Sequence, residues 1–167
     1  KSVNRVHTYY QGEIYLTIPF ISFDAGGAET AEFEKDLEDI IDMLEHGATD
    51  VLHQAYAKVE TLEVHGSLEI PAAISYAAKS SQGYDGFLGL GCILKGATIH
   101  DEVIAYSAYK SLLDLETTQD LAIGCGILTV NTEQEAYERA HPQHQNRGAE
   151  AAIAVLGLIH IKQKFGL

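Results

Sequence analysis

The chain alternates between short, mostly apolar runs and longer segments in which apolar residues recur at helical spacing. The apolar or alternating runs predict β-strands over residues 13–23, 56–64, 86–94 and 121–129. Spacings of three and four residues predict helices over residues 28–46 and 146–164. Helices are also predicted over residues 71–80, 101–115 and 132–140. Strands and helices therefore follow one another, which is typical of a parallel sheet with helices on both faces.

Two residues bear on the limits of these elements. Gly47 directly follows the first helical segment and is expected to end it, since glycine is common just past a helix C-terminus. Pro19 weakens the first strand assignment, because proline has no N–H group to give to a central strand. The sequence has no repeat and no linker, so we expect one domain over residues 13–167. Residues 1–12 form an N-terminal segment that can act as an added edge strand.

Composition narrows the class of partner. The chain has 167 residues with 24 acidic and 11 basic side chains, a net charge of −13, which argues against nucleic acid and anionic membranes as partners. Cys92 and Cys125 lie in apolar, strand-like runs and are expected to be buried, unpaired thiols. Such thiols suit a reducing compartment, and neither a signal peptide nor a transmembrane segment is apparent. We therefore expect a cytoplasmic protein.

The turn after the third predicted strand is the strongest candidate for chemistry. Its sequence, GLGCILKGATIH, leads from an apolar strand through small residues into a helix. N–H groups at the start of a helix lack partners and attract phosphate, and this turn adds a hydroxyl and a lysine. His100 is expected about one turn into the helix, and histidine is the side chain type whose unperturbed pKa lies nearest neutral pH. An ordinary strand-to-helix turn with a surface histidine is the alternative. The turn residues are Lys95, Gly96, Ala97 and Thr98.

A second turn, HGSLEIP, follows the second predicted strand. Gly66 and Ser67 can offer backbone N–H groups there, and Glu69 lies close by in sequence. Pro71 is well placed in the first turn of the following helix. A routine strand-to-helix connection is the alternative interpretation of this turn.

Four ordered motifs resemble the lumazine synthase family of riboflavin biosynthesis: VHGSLEIP, KGATIH, GILTVNTEQEAYERA and NRGAEAA. The resemblance is strong from about Val64 to the end and weak before it. It implies a flavodoxin-like, three-layer α/β/α sandwich with a four-stranded, mainly parallel sheet. It also implies condensation of 5-amino-6-(D-ribitylamino)uracil with 3,4-dihydroxy-2-butanone 4-phosphate through a Schiff base, with release of phosphate. The product is 6,7-dimethyl-8-ribityllumazine, and no metal or organic cofactor takes part.

The resemblance also implies roles for individual residues. His100 would move protons during imine formation and elimination, and Arg139 would hold the leaving phosphate with the Gly96 turn. Phe23 matches an aromatic residue that stacks on the pyrimidine, and Arg147 keeps the charge of a lysine in the family motif. The implied substrate-binding residues are Phe23, Gly66, Ser67, Glu69, Ile93, Leu94, Lys95, Gly96, Ala97, Thr98, Cys125 and Arg147.

In this family the site lies between adjacent subunits of a pentamer. The resemblance therefore implies that Arg139 and the region of Cys125 come from one subunit and the Gly96 turn from its neighbour. Some members assemble twelve pentamers into a shell of 60 subunits. The N-terminal segment, residues 3–10, would then join the sheet of a neighbouring subunit.

The chain also departs from the family pattern. Asp101 follows the histidine where an aromatic residue is usual, Cys125 replaces a phenylalanine, and Leu68 replaces another aromatic residue. His65 and Gln143 replace a proline and a frequent basic residue. These differences leave open a non-catalytic shell or a homologue that binds flavin or lumazine. A flavodoxin-like carrier of a phosphorylated flavin is a third hypothesis, but the expected phosphate loop is missing after the first strand.

Overall fold

The computed structural model describes residues 14–21 and 31–167, with side chains from residue 38 onward. A 3-10 turn, Ser67–Glu69, precedes the second helix. The predicted order of strands and helices is confirmed. The strands and helices are β1 Ile14–Ile21, α1 Ala31–Gln54, β2 Ala57–Val64, α2 Ile70–Ala78, β3 Gly86–Leu94, α3 His100–Gln119, β4 Ile123–Val130, α4 Glu133–Ala140 and α5 Arg147–Phe165.

The strands of the described residues form a four-stranded sheet in the order β2-β1-β3-β4, and every pairing is parallel. Interior strands β1 and β3 therefore separate the two edge strands, β2 and β4. Pro19 lies inside β1, opposite Leu62 of β2, so the proline is tolerated in an interior strand. The paired residues between β1 and β3 are Leu16 with Gly86 and Thr17 with Phe87, ahead of the proline.

Side chains of β3 alternate between two apolar layers, as expected for a strand covered on both faces. Leu88, Leu90 and Cys92 join a core formed with α1, α4 and α5. Phe87 and Ile93 point to the opposite face and pack with α2 and α3. The three-layer α/β/α sandwich predicted from the sequence is confirmed.

The predicted end of α1 at Gly47 is wrong, because the helix continues to Gln54. Gly47 is buried, and a Cβ atom there would lie 2.0 Å from the Oδ1 atom of Asn146. Gly148 makes a similar approach from α5, where a Cβ atom would lie 2.0 Å from the carbonyl oxygen of Leu44. The glycine at position 47 therefore serves close packing of α1 against the start of α5, not a helix end.

The start of α5 is also pressed against β4. A Cβ atom on Gly124 would lie 2.2 Å from the carbonyl oxygen of Ala151, and one on Gly126 would lie 3.2 Å from the Ala151 Cβ atom. Asn146 caps the helix by accepting a hydrogen bond from the Ala149 N–H at 3.3 Å. This close packing fixes the N-terminal end of α5 beside the outer edge of the sheet.

Candidate functional site

The turn between β3 and α3 begins at the carboxyl end of the sheet. The N–H group of Lys95 donates to the carbonyl of Val130 at 2.9 Å, which ties the start of the turn to the end of β4. The Thr98 hydroxyl accepts a hydrogen bond from the His100 N–H at 3.3 Å. The side chains of Lys95, Thr98 and His100 are exposed. The turn residues predicted from the sequence are therefore adjacent and open to solvent.

The structure changes two expectations about this turn. His100 is the first residue of α3 and does not lie one turn inside the helix. Asp101 is only 6% exposed, and its Oδ1 atom accepts a hydrogen bond from the Gly96 N–H at 3.4 Å. A carboxylate thus already occupies one backbone N–H group that was predicted to receive an anion. Ala97, between these groups, is exposed.

The second turn places a buried hydroxyl against the sheet. Ser67 is 1% exposed, and its hydroxyl has no hydrogen-bond partner among the described residues. A Cβ atom on Gly91 of β3 would lie 3.4 Å from this hydroxyl oxygen. Gly66 is buried, and its carbonyl accepts from the Glu69 N–H at 3.1 Å. An unsatisfied buried hydroxyl is uncommon in proteins, and the assignment of Ser67 to substrate binding stays a prediction.

The end of β3 supplies apolar surface between the two turns. Ile93 is fully buried with α2 and α3, whereas Leu94 is half-buried and packs on the opposite layer. Their side chains point to opposite faces of the sheet, because they are neighbours in a strand. The resemblance implied that both residues lie beside one heterocycle, but their side chains belong to opposite layers. Leu94 is the more accessible of the two.

A separate pocket of about 490 Å³ lies along the outer edge of β4. Its volume lies in the range of small-molecule sites, about 300–1,000 Å³. Strand β4 forms the base, and α3, α4 and α5 contribute the walls. The residues lining it are Tyr109, Cys125, Gly126, Ile127, Leu128, Thr129, Arg139, Arg147, Glu150, Ala151 and Ala154.

The pocket contains two guanidinium groups in different electrostatic states. Arg147 Nη1 lies 2.5 Å from the Glu150 carboxylate, and Arg147 Nη2 donates to Gln145 at 3.3 Å. Arg139 is half-buried, and none of the described carboxylates forms an ion pair with it. Because its charge is not balanced in this way, Arg139 is the cation best placed to bind an anionic ligand.

Cys125 is one of two free cysteines, and the prediction that it is buried is wrong: its side chain is exposed and lines this pocket. Desolvation by the surrounding protein still raises the pKa of its thiol to about 11. Cys92 is buried as predicted, and burial raises its pKa to about 12. Within the described residues, Cys125 lies on an edge strand, whereas Cys92 lies on interior strand β3, whose two faces are covered by helices.

Sequence reasoning missed Tyr109, Thr129 and Glu150, which also line the pocket. Tyr109 comes from α3 and donates a hydrogen bond from its hydroxyl to the Ile127 carbonyl. Burial is the main cause that raises the pKa of Tyr109 to about 12. Tyr109 lies on the predicted helix after the Gly96 turn, and the sequence gives no sign that it faces a pocket. Only the position of α3 over β4 reveals this.

Within the described part of the chain, the predicted site residues fall into two groups. The first group lies at the carboxyl ends of β2 and β3 and consists of Gly66, Ser67, Glu69 and the turn at residues 95–100. The second group lines the pocket on β4 and consists of Cys125, Arg139 and Arg147. The described lining of that pocket includes no residue from either turn. Phe23 and residues 1–12 lie outside the described residues. Over the described segments, the helices are too short or too polar to cross a bilayer.

The fold and these groups define a class: an α/β protein with a parallel sheet, a pocket of small-molecule size beside its edge strand β4 and a glycine-containing turn at the carboxyl end of β3. Residues 30–163 match the family model described as 6,7-dimethyl-8-ribityllumazine synthase. The chain therefore belongs to the 6,7-dimethyl-8-ribityllumazine synthase family, as the sequence motifs indicated.

Individual relatives agree with this family. The chain is 45% identical over 129 residues to the 6,7-dimethyl-8-ribityllumazine synthase of Bartonella tribocorum, covering 77% of this chain and 85% of the relative. It is 38% identical over 146 residues to the 6,7-dimethyl-8-ribityllumazine synthase 1 of Rhodopseudomonas palustris, covering 84% and 90%. The 6,7-dimethyl-8-ribityllumazine synthase of Erythrobacter litoralis is 40% identical over 125 residues, covering 75% of this chain and 88% of the relative.

Proposed function

We propose that this chain condenses 5-amino-6-(D-ribitylamino)uracil with 3,4-dihydroxy-2-butanone 4-phosphate to give 6,7-dimethyl-8-ribityllumazine, releasing phosphate. The relatives above carry the name of this activity, which favours catalysis over a non-catalytic shell or binding homologue. The observation that carries the proposal is Arg139, a half-buried cation that forms no ion pair within the described residues and lines a pocket of suitable size. Glu135, one turn earlier on α4, acts on this charge without an ion-pair contact.

Arg139 is the proposed anchor of the substrate phosphate. A guanidinium can donate two parallel hydrogen bonds to phosphate oxygens, which fixes the group that leaves during elimination. Arg147 is paired with Glu150 and contributes less net charge. Lys95 and the small residues of its turn supply further donors, although the Gly96 N–H group must give up Asp101 to do so.

His100 is the proposed proton-transfer group. Its position at the first residue of α3 keeps the imidazole at the surface of the turn, beside the proposed phosphate site. Formation of the Schiff base requires proton transfer to the departing water, and elimination of phosphate requires removal of a proton. Imidazole suits both steps because its ordinary pKa lies near neutrality. Gly66, Ser67, Glu69, Ile93, Leu94, Phe23 and Cys125 are the proposed contacts to the pyrimidine and ribityl groups.

The two groups of residues lie apart in one chain, which supports a site completed by a second copy. We propose a homopentamer in which the pocket on β4 of one subunit faces the turns of its neighbour, with a 60-subunit shell as the larger assembly. Residues 3–10 are proposed to join the neighbouring sheet. We expect a cytoplasmic location, since both described cysteines are free thiols. Light scattering of the purified protein distinguishes a monomer, a pentamer and a shell.

The activity is tested by following the fluorescent lumazine with both substrates present. Arg139→Ala is expected to lower kcat/KM by about a hundredfold, the usual loss on removing one charge-stabilising donor. Lys110→Ala is the matched control, because this exposed lysine pairs with Asp114 away from the pocket. Product formation by the wild-type protein at only the uncatalysed rate would end the proposal.

A further inference from the structure

Tyr109 reaches the outer edge of β4, which pairs with no other strand of the described residues. The Val130 carbonyl accepts from the Lys95 N–H, so Val130 points its backbone groups toward β3. Alternate residues of a strand turn their backbone groups to opposite edges, which directs those of Ile127 outward. The Tyr109 hydroxyl donates its hydrogen bond to the Ile127 carbonyl. A side chain from α3 therefore closes over the sheet edge and occupies one outward acceptor.

The surroundings of Tyr109 hold its hydroxyl end in place. Thr129, Cys125 and Arg139 lie close enough to the phenol group to act on its pKa. A phenol is protonated at neutral pH, and burial raises the pKa of Tyr109 further, to about 12, so the hydroxyl can continue to donate to Ile127. The ring is thus tethered at its hydroxyl, which lowers the entropy cost of holding it against a ligand.

The remaining lining of the pocket explains what such a ring can do. Tyr109 is the one aromatic residue among the described residues of the lining, and it stands with Cys125, Leu128 and Ala154 near Arg139. A volume of about 490 Å³ holds a planar heterocycle together with polar substituents. Aromatic rings contact planar heterocycles favourably through stacked or edge-on geometry.

We propose that Tyr109 is a substrate-contacting residue, whose ring forms one wall for the planar pyrimidine substrate beside Cys125. This role rests on the proposed function of the pocket. It is distinct from simple capping of the β4 edge, because the ring and not the hydroxyl then carries the effect. It also assigns selectivity for the pyrimidine to α3, whereas Arg139 on α4 is assigned to the phosphate.

The test compares steady-state kinetics of wild type, Tyr109→Leu and Tyr109→Phe, with each substrate varied in turn. Tyr109→Leu keeps apolar volume without the ring, and we expect a rise of about tenfold in KM for the pyrimidine, the scale of one lost stacking contact. The KM for the butanone phosphate should change by less than about twofold, and kcat should fall less than kcat/KM. Tyr109→Phe keeps the ring and loses the tether, so we expect a smaller rise, about threefold.

Tyr106→Leu is the matched control, since Tyr106 lies on the same helix, is 72% exposed and does not line the pocket. Circular dichroism and light scattering establish that each variant folds and assembles as the wild type does. The double variant Tyr109→Leu/Cys125→Phe places an aromatic ring on β4 in the same pocket. We expect it to recover most of the affinity for the pyrimidine that Tyr109→Leu loses.

The outcomes separate this inference from the activity itself. Wild-type turnover with an unchanged pyrimidine KM in Tyr109→Leu overturns the role of Tyr109 and leaves the activity standing. Equal losses in Tyr109→Leu and Tyr109→Phe overturn it as well, because they assign the effect to the hydroxyl tether. Loss of folding in both variants assigns Tyr109 to edge capping and also overturns the proposal. An inactive wild type removes the proposed function and this inference together.

Discussion

The contact between α1 and α5 offers a sharp test of how the fold positions the pocket. Gly148 lies in the first turn of α5, and a Cβ atom there would lie 2.0 Å from the Leu44 carbonyl oxygen and 2.8 Å from the Leu44 carbonyl carbon. Ordinary contacts between carbon and oxygen lie at about 3.3 Å or beyond. In Gly148→Ala the two helices must therefore move apart by about 1 Å, because both sides of the contact are backbone.

The expected loss of stability follows from two opposing effects. Overpacking of this kind costs about 3 kcal/mol at the upper end of its usual range. Alanine recovers about 1 kcal/mol of helix propensity relative to glycine. The net change in the free energy of unfolding is therefore a loss of about 2 kcal/mol, which corresponds to a fall in Tm of about 4–8 °C for a chain of this size.

Gly157→Ala, on the same helix, is the matched control. Gly157 is exposed, and a Cβ atom there meets nothing within 4 Å among the described residues. The propensity gain then acts alone, and Tm should rise by about 2–4 °C. The assay is thermal unfolding followed by circular dichroism at one protein concentration, since association shifts Tm. An unchanged Tm in Gly148→Ala, or equal falls in both variants, would refute the packing argument.

Three further predictions concern the site and its surroundings. Asp101→Asn removes a buried negative charge while keeping an acceptor for the Gly96 N–H group. Inorganic phosphate should therefore inhibit lumazine formation at about threefold to tenfold lower concentration in this variant. The control Glu102→Gln, on the same turn, should change this inhibition little. The pKa of Cys125 is raised to about 11, so iodoacetamide should label this thiol at pH 8 about a hundredfold more slowly than it labels glutathione. The labelling rate should rise about tenfold per pH unit toward pH 10. Fast labelling at pH 8 would contradict the prediction. Thr132→Ala removes the side-chain cap of α4 and should cost about 1 kcal/mol in urea unfolding, and a cost near zero would assign no stability to the cap.

Much of the fold follows from local patterns. The β3 run from Gly86 to Leu94 is apolar throughout because helices cover both faces of the strand, so its bounds could be predicted to the residue. The last two helices were expected to begin at Thr132 and Asn146, and each of these residues accepts a backbone hydrogen bond at a helix start. Four ordered motifs from about Val64 to the end indicated the family.

Local patterns failed where contacts are made between distant segments. Gly47 is typical of a helix end, yet its small size serves the approach of Asn146 from the far end of the chain. Asp101 is a charged residue whose burial depends on the path of the turn back to Gly96. Periodicity in either segment carries no information about these partners.

The sequence alone determined the order of strands and helices, the parallel sheet and the family, because each depends on neighbouring residues or short motifs. The tertiary structure decided that β4 is an edge strand, that Cys125 faces a pocket and that Tyr109 reaches across from α3. Strand order within a sheet is set by which faces the crossing helices bury together, and no single stretch of sequence contains that choice.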